Sequence, residues 1–182
     1  MKNASLNIKN NQIILYPTDT VWGIGCDATS EKAVAKIYAI KQREETKSLV
    51  ILVSSLEMLK KYVAEVPNKA LEILEKATNP TTIVYDHPIG IAKNAIGKDN
   101  TIAIRIASDD FCKKMIADFG KPIVSTSANI SGEPTPKQFS EISPAILKAV
   151  DYVVDLHHDK ICEKSSTIIK VTNQNQVTVI RA

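Results

Sequence analysis

The sequence is poor in cysteine and has no long hydrophobic run. Its three cysteines, Cys26, Cys112 and Cys162, lie far apart, and there is no C-x-x-C pair or mixed histidine and cysteine cluster. A disulfide framework and a structural zinc site are therefore not supported. No apolar stretch reaches the length of a signal sequence or of a membrane-spanning helix. We expect a cytoplasmic protein with reduced thiols and no membrane partner.

Several common catalytic and nucleotide-binding patterns are also missing. The phosphate-binding loop GxxxxGK[ST] does not occur, so any nucleotide must be held by side chains. The three histidines, His87, His157 and His158, fall in expected loops, which gives no Ser-His-Asp arrangement. Aromatic residues make up 5% of the chain, too few to supply the stacking platforms of single-strand binders.

The composition is that of an ordinary globular domain with a slight excess of positive charge. The chain has 23 Lys and Arg against 20 Asp and Glu, a net charge of +3. This excess suits phosphate-bearing ligands, and it fits equally well a solvated surface that happens to be mildly basic. The 182 residues are enough for one domain, residues 1–182, in which the polar residues 1–11 are expected to be flexible or only lightly docked.

Strand and helix patterns alternate along the chain, which predicts a single α/β domain with a mixed sheet. Ser30 and Ser108 are expected to cap helices, and Gly120 to end one. The expected strands are 13–16, 21–26, 49–53, 82–85, 101–106, 122–124, 152–155, 167–171 and 177–180. The expected helices are 31–41, 56–63, 67–77, 108–119 and 145–150, with a long loop over 87–100.

The run from 123 to 133, IVSTSANISGE, is the most informative segment. A short apolar strand leads directly into small hydroxyl and amide residues, among them Ser125, Ser127 and Asn129. Such residues are poor core material, but at the end of a strand they can line a polar ligand site. Ser165 and Ser166 enter a later strand in the same way, although serine-rich strand ends are also common turn formers.

Two other segments carry polar residues in a strand context. Thr18 and Thr20 are two residues apart, so their hydroxyls should point the same way if the chain is extended there. A capped turn between strands explains this segment equally well. On the strand 101–106, Thr101 and Arg105 share a face, so Arg105 is either an exposed edge residue or a partner for a carboxylate or phosphate.

Three cations follow one another closely at the end of a predicted helix: Lys41, Arg43 and Lys47. They could simply complement the helix dipole, or they could clamp a phosphate, since arginine offers a rigid fork and lysine a mobile charge. Together the polar segments outline a hydroxyl-lined cleft for an anionic, phosphorylated small molecule. No residue cluster predicts a fixed metal site, and a Mg²⁺ ion carried in by nucleotide phosphates needs few protein ligands.

Five sequence blocks occur in the order and spacing of a known family: YPTDTVWGIG, KQR, TIAIR, STSANISGEPTP and SSTI. From about residue 13 to residue 181 the chain resembles the YrdC/TsaC-type threonylcarbamoyl-AMP synthases in their short, single-domain form. The resemblance implies a YrdC-like α/β fold, a twisted open mixed sheet flanked by helices, with a concave, positively charged face.

The resemblance also implies an activity, that of a nucleotidyltransferase. The family makes threonylcarbamoyl-AMP and pyrophosphate from L-threonine, bicarbonate or CO2, and ATP, with Mg²⁺ carried by the nucleotide. Other proteins then transfer the threonylcarbamoyl group to adenosine in tRNA, so the expected partners include those proteins and tRNA or double-stranded RNA itself.

Site residues follow from the resemblance position by position. Lys41 and Arg43 match the family's K-x-R pair, and Ser127 and Asn129 match its S-x-N pair, which together carry the catalytic role. The positions matching threonine contacts are Thr20, Arg105, Ser125 and Ser166. The positions matching further ATP contacts are Lys47, Thr101, Thr135 and Arg181.

Two alternatives remain open on the sequence. One is a non-catalytic relative that binds double-stranded RNA or the ribosome through the basic face, for which salt-sensitive RNA affinity without ATP binding is expected. The other is an acyl-adenylate former that uses carbamoyl phosphate, as in hydrogenase-maturation proteins that contain a similar domain within much longer chains.

Overall fold

The computed structural model describes residues 2–44, 49–162 and 165–182, and within these ranges a nine-stranded mixed sheet forms the centre of the molecule. The strand order is β7-β1-β2-β6-β3-β5-β4-β8-β9. The strands are β1 Ile14–Tyr16, β2 Gly23–Gly25, β3 Val50–Val53, β4 Thr81–Asp86, β5 Thr101–Ile106, β6 Ile123–Ser127, β7 Tyr152–Val153, β8 Thr167–Val171 and β9 Val177–Arg181. This confirms the expected open mixed sheet.

Six α-helices surround the sheet within the described part of the chain. They are α1 Lys2–Lys9, α2 Glu31–Lys41, α3 Leu56–Leu59, α4 Asn68–Lys76, α5 Asp110–Phe119 and α6 Pro144–Ala149, with short 3₁₀ helices at Lys93–Ala95 and Phe139–Glu141. None of the described helices is long and apolar enough to cross a membrane.

Side-chain caps explain where several helices begin. Ser30 accepts a hydrogen bond from the backbone N–H of Ala33 at the start of α2, as expected. The prediction for α5 was wrong by one residue: Asp109, not Ser108, caps the helix by accepting from the N–H of Cys112 at 2.8 Å. Gly120 ends α5 in the left-handed region, as expected.

The N-terminal segment is also more ordered than its polar sequence suggested. Residues 2–9 form α1, which packs against α5 and buries Ala4 and Ile8. The apolar residues are four apart and so fall on one face of a helix, a short signal among polar neighbours. The expected helix over 56–63 is shorter, and ends at Leu59.

The two faces of the sheet are covered unequally. The larger core lies on one face, where α2 contributes Val34 and Ile37 and the strands contribute Ile24, Ile51 and Ile104. A smaller core lies where α1 and α5 pack on the strands, against Ile14, Tyr16, Leu52 and Ile123. Leu52 is paired in register with Arg105, which lines a cavity, so this second face continues from apolar packing into an open polar surface.

Candidate functional site

A cavity of about 370 Å³ lies on the polar part of this second face. Eight of the twelve site residues expected from the sequence line it: Thr20, Arg43, Arg105, Ser125, Ser127, Thr135, Ser166 and Arg181. These residues come from segments as far apart in sequence as the loop after β1 and the last strand, β9, and the fold places them around one cavity.

The register of the central strands places these side chains on one face. Ser127 is opposite Gly23, Ser125 is opposite Val50, and Arg105 is opposite Thr82. Because side chains alternate along a strand, Ser125 and Ser127 share the cavity face, as do Ala103 and Arg105. The neighbouring residues Ile102 and Ile104 point into the larger core on the other side, as expected from the alternation.

All three arginines of the chain, Arg43, Arg105 and Arg181, line this one cavity. No lysine is among its lining residues in the described part of the chain, although lysine is far more abundant in the sequence. Arginine binds carboxylates and phosphates through a planar fork of N–H donors. The lining of the cavity therefore suits an anionic ligand, and it also offers hydroxyl groups from serine and threonine.

Lys41 has a different place from Arg43, although only one residue separates them. Its side chain is 2% exposed, and its ammonium donates to the carbonyl oxygens of Ser127 at 2.6 Å and of Asn129 at 2.7 Å. Burial, followed by the nearby charge of Arg43, lowers the pKa of Lys41 to about 8. Lys41 thus ties the end of α2 to the S-x-N segment and does not line the cavity.

Asn129 is also engaged with the backbone. Its side-chain amide donates to the carbonyl oxygen of Glu133 at 2.7 Å and to that of Ile130 at 3.2 Å. Like Lys41, it is absent from the cavity wall. The K-x-R and S-x-N pairs lie next to one another, and in each pair one member lines the cavity and the other holds the segment in place.

Arg105 is the most deeply placed cation of the cavity, with 4% of its surface exposed. Its Nη1 donates to Oδ1 of Asp19, whose side chain is 7% exposed. The other oxygen of Asp19 accepts from the hydroxyl and the backbone N–H of Ser108. Within the described residues the Nε of Arg105 is buried and has no hydrogen-bond partner.

Arg181 and Ser166 lie next to one another on the wall of the cavity. Arg181 donates through Nη2 to the carbonyl oxygen of Ser166 at 2.7 Å, and through Nε at 3.1 Å. The hydroxyl of Ser166 lies 2.8 Å from that of Thr82, which is fully buried. This wall joins β4, β8 and β9 at the cavity.

The loop after β1 is a turn built by Thr18. Its hydroxyl oxygen accepts from the backbone N–H groups of Thr20 and Val21, and lies 3.0 Å from the hydroxyl of Thr20. The two hydroxyls thus lie close together, but through a turn and not through the extended chain that the expectation supposed. The capped turn is the alternative that holds, and the turn also lines the cavity.

One expected ATP contact, Thr101, is not among the residues that line the cavity. It is at the opposite end of β5 from Arg105 and donates to Oδ1 of Asp99 at 2.7 Å. Lys47 lies outside the described residues.

Sequence reasoning missed Asp19, although it stands in the middle of the Thr-Asp-Thr segment. It lines a second, adjoining cavity of about 790 Å³ that shares Thr20, Ser165 and Arg181 with the first. Cys162 also lines this second cavity, and burial raises the pKa of its thiol, which disfavours the nucleophilic thiolate. In the described ranges no group of three or more His, Cys, Asp or Glu side chains could hold a metal ion.

Comparisons with known proteins match most of the chain to one family. A family model described as Sua5_yciO_yrdC, telomere recombination, matches residues 7–182. A curated relative from Pseudoalteromonas translucida, named threonylcarbamoyl-AMP synthase, is 36% identical over 151 residues, which cover 81% of each chain. A relative from Methanocaldococcus jannaschii is 38% identical over 173 residues, which cover 94% of this chain and 80% of the relative.

A solved structure of similar shape carries a bound amino acid. The crystal structure of P. abyssi Sua5 complexed with L-threonine is 27% identical, with a TM-score of 0.85, and the match covers 93% of this chain. The chain spans about half the length of that protein, 50% by coverage. With the family model matched over most of the sequence and curated relatives above 30% identity, the chain belongs to the Sua5/YciO/YrdC family and is a homologue of threonylcarbamoyl-AMP synthases.

Proposed function

We propose that this protein is a threonylcarbamoyl-AMP synthase, which forms threonylcarbamoyl-AMP and pyrophosphate from L-threonine, bicarbonate or CO2, and ATP. The observation that carries the proposal is the placement of all three arginines on one hydroxyl-lined cavity. The substrates carry two kinds of anion, a carboxylate and a triphosphate, and the arginines come from three separate elements that can hold them apart.

Arg105 binds the threonine carboxylate in this proposal, since its guanidinium is buried and its Nε has no partner among the described residues. Thr20, Ser125 and Ser166 lie beside it on the cavity wall and provide hydroxyl contacts to the amino acid. Arg43, with Ser127, Thr135 and Arg181, binds the nucleotide. Lys47 and Thr101 stay predictions as ATP contacts.

The chemistry needs no covalent intermediate with the enzyme. The threonine amine combines with bicarbonate to give a carbamate and water, and a carbamate oxygen attacks the α-phosphorus of ATP as pyrophosphate leaves. Catalysis then consists of positioning and of charge stabilisation by donors fixed in advance. The cavity residues can provide both, because Arg43 faces the cavity and Lys41 holds the Ser127–Asn129 backbone opposite it.

Mg²⁺ fits this site only as a companion of the nucleotide. The first cavity is lined by hydroxyls, arginines and apolar groups, and its described wall includes no carboxylate. Phosphate oxygens and water would therefore be the ligands of the ion, which neutralises phosphate charge when bound. We further propose that the protein acts in the cytoplasm and passes its product to proteins that modify tRNA.

The test is pyrophosphate release in the presence of ATP, Mg²⁺ and bicarbonate, with and without L-threonine. We expect release only with threonine, and a loss of at least about tenfold in kcat/KM for Arg43→Ala, since a charge-assisted contact to phosphate is removed. Lys93→Ala, a change on the distant 3₁₀ helix, is the control and should keep normal activity. Salt-sensitive RNA binding by a chain that binds neither ATP nor threonine would overturn the proposal in favour of the non-catalytic alternative.

A further inference from the structure

We propose that Asp19 is a positioning residue, which holds the guanidinium of Arg105 so that its remaining N–H groups meet the carboxylate of the amino-acid substrate. The proposal rests on the proposed function and adds to it a residue that contacts Arg105 from outside the cavity wall. Asp19 does not line the cavity that contains Arg105; it lines the adjoining one.

The two side chains form a buried ion pair between elements far apart in the sequence. Arg105 lies near the end of β5 and Asp19 in the loop after β1, 86 residues away, and both are more than nine-tenths buried. The pair leaves the guanidinium with one N–H occupied by Asp19, while the buried Nε has no partner among the described residues. Because Arg105 lines the cavity, a bound carboxylate can accept from N–H groups of the guanidinium that Asp19 does not occupy.

Asp19 is itself fixed on its other side. Its second carboxylate oxygen accepts from the hydroxyl and the backbone N–H of Ser108, which precedes α5. Both oxygens therefore already accept hydrogen bonds, and the side chain is 7% exposed. These contacts suit a group that orients a neighbour, and they do not suit one that exchanges a proton with substrate.

Among residues 2–44, 49–162 and 165–182, Arg105 forms no ion pair other than the one with Asp19. Its neighbours in register are Leu52 on β3 and Thr82 on β4, which are fully buried and uncharged. A long side chain without a partner would sample several rotamers, and a bound carboxylate would then have to order it at the expense of affinity. The Asp19 contact removes that disorder in advance.

The experiment compares Asp19→Asn with the wild type in steady-state pyrophosphate release. We expect the KM for L-threonine at saturating ATP to rise by about tenfold or more, because a charge-assisted hydrogen bond is lost, while the KM for ATP changes by less than about twofold. Asp19→Glu, which keeps the charge, should recover part of the threonine affinity. L-Threoninamide, which lacks the carboxylate, should inhibit the wild type and Asp19→Asn equally.

Asp27→Asn is the matched control. The carboxylate of Asp27 is also largely buried, at 10% exposure, and is paired with Lys121 at 3.4 Å, but it lines neither cavity. This variant tests the general effect of losing a buried acidic group. Both KM values should stay at their wild-type level in it.

Ser108→Ala covers the case in which Asp19→Asn does not fold. It removes one donor to Asp19 and leaves the ion pair in place, so we expect a rise of about two- to fivefold in the KM for threonine alone. If the KM values for threonine and ATP rise together, or only kcat falls, Asp19 has a merely structural role and the inference is wrong. A wild-type protein without threonine-dependent turnover would instead overturn the proposed function.

Discussion

At the scale of single residues, Lys41 shows how burial changes the role of a charged group. An ammonium taken out of water needs several acceptors, and the carbonyl oxygens of Ser127 and Asn129 supply them. These bonds favour the protonated form, while burial opposes it and brings the pKa down to about 8. Lys41 therefore remains mostly protonated at neutral pH, at a cost in folding free energy.

This cost predicts a pH dependence of stability. The pKa of Lys41 falls from an ordinary value of 10.5 to about 8 in the folded chain. Between these values the unfolded chain binds more protons, so stability rises with pH, and the penalty is fully present below pH 8. Relative to Lys41→Met, we expect the wild type to gain about 1–2 kcal/mol in its free energy of unfolding as the pH is raised from about 8 to about 10.

Denaturant unfolding of both proteins across this pH range measures the effect. Other groups titrate there as well, but they do so in both proteins and cancel in the difference. A difference between the two free energies that does not change with pH would contradict the assigned role of Lys41.

At the scale of elements, the end of α2 explains why K-x-R gives two differently directed cations. Gln42 adopts left-handed φ and ψ of 48° and 44°, and the N–H of Arg43 donates to the carbonyl of Tyr38 while that of Gln42 donates to Ala39. This is a Schellman ending, in which the chain turns away from the helix axis. Lys41 thus points inward from the last turn, and Arg43 follows the turn to the cavity.

Glycine is the residue that this left-handed position favours, and Gln42 is exposed. We expect Gln42→Gly to raise the free energy of unfolding by about 0.5–1 kcal/mol. Glycine removes the strain of the left-handed conformation in the folded state, and this gain exceeds the cost of the greater entropy that glycine gives the unfolded chain. Gln42→Ala, which keeps the Cβ, is the control and should give no gain. Equal stability of the glycine and alanine variants would refute a strained turn.

Two glycines of β2, Gly23 and Gly25, lie close to the backbone of β6. A Cβ at Gly25 would press on the backbone of Val124 and lie 2.8 Å from the ring of Tyr16. A Cβ at Gly23 would lie 3.3 Å from the carbonyl oxygen of Thr126, which is a tight contact but a less severe one than at Gly25. Gly23 also lines the cavity.

We expect Gly25→Ala to lower the free energy of unfolding by about 3 kcal/mol, since backbone must move to admit the methyl group. Gly23→Ala should cost less than about 1 kcal/mol, but should weaken ligand binding because it narrows the cavity. Thermal unfolding of the two variants side by side tests this order of effects, and a Gly23→Ala protein less stable than Gly25→Ala would contradict it.

At the scale of the whole molecule, the sequence predicts the fold well, and it predicts the site better than it predicts individual contacts. Alternation along β5 correctly assigned Arg105 to one face and Ile104 to the core, because period-two patterning is a local property. The pairing of Asp19 with Arg105 could not be inferred in this way, since it depends on how two segments 86 residues apart meet. The inward direction of Lys41 could not be predicted either, because it depends on the turn at Gln42 and on the position of the distant S-x-N segment.

The uneven covering of the sheet decides where the site forms. The small helices α1 and α5 cover part of one face, and the remaining part is lined by the hydroxyls and the three arginines. The alternative of an exposed edge arginine at 105 is wrong in this structure, since Arg105 is buried. Lys41 does more than complement a helix dipole, since it bonds to the carbonyl oxygens of Ser127 and Asn129.

The most direct test of synthase activity is to follow radiolabelled bicarbonate into the nucleotide product. The purified protein is incubated with ATP, Mg²⁺, L-threonine and labelled bicarbonate, and the products are separated by chromatography. We predict that the label enters an adenylate that also contains threonine, and that it does so only when threonine is present and only weakly with Arg43→Ala or Arg105→Ala. Label absent from every adenylate, with a folded protein and intact ATP binding, would contradict the account.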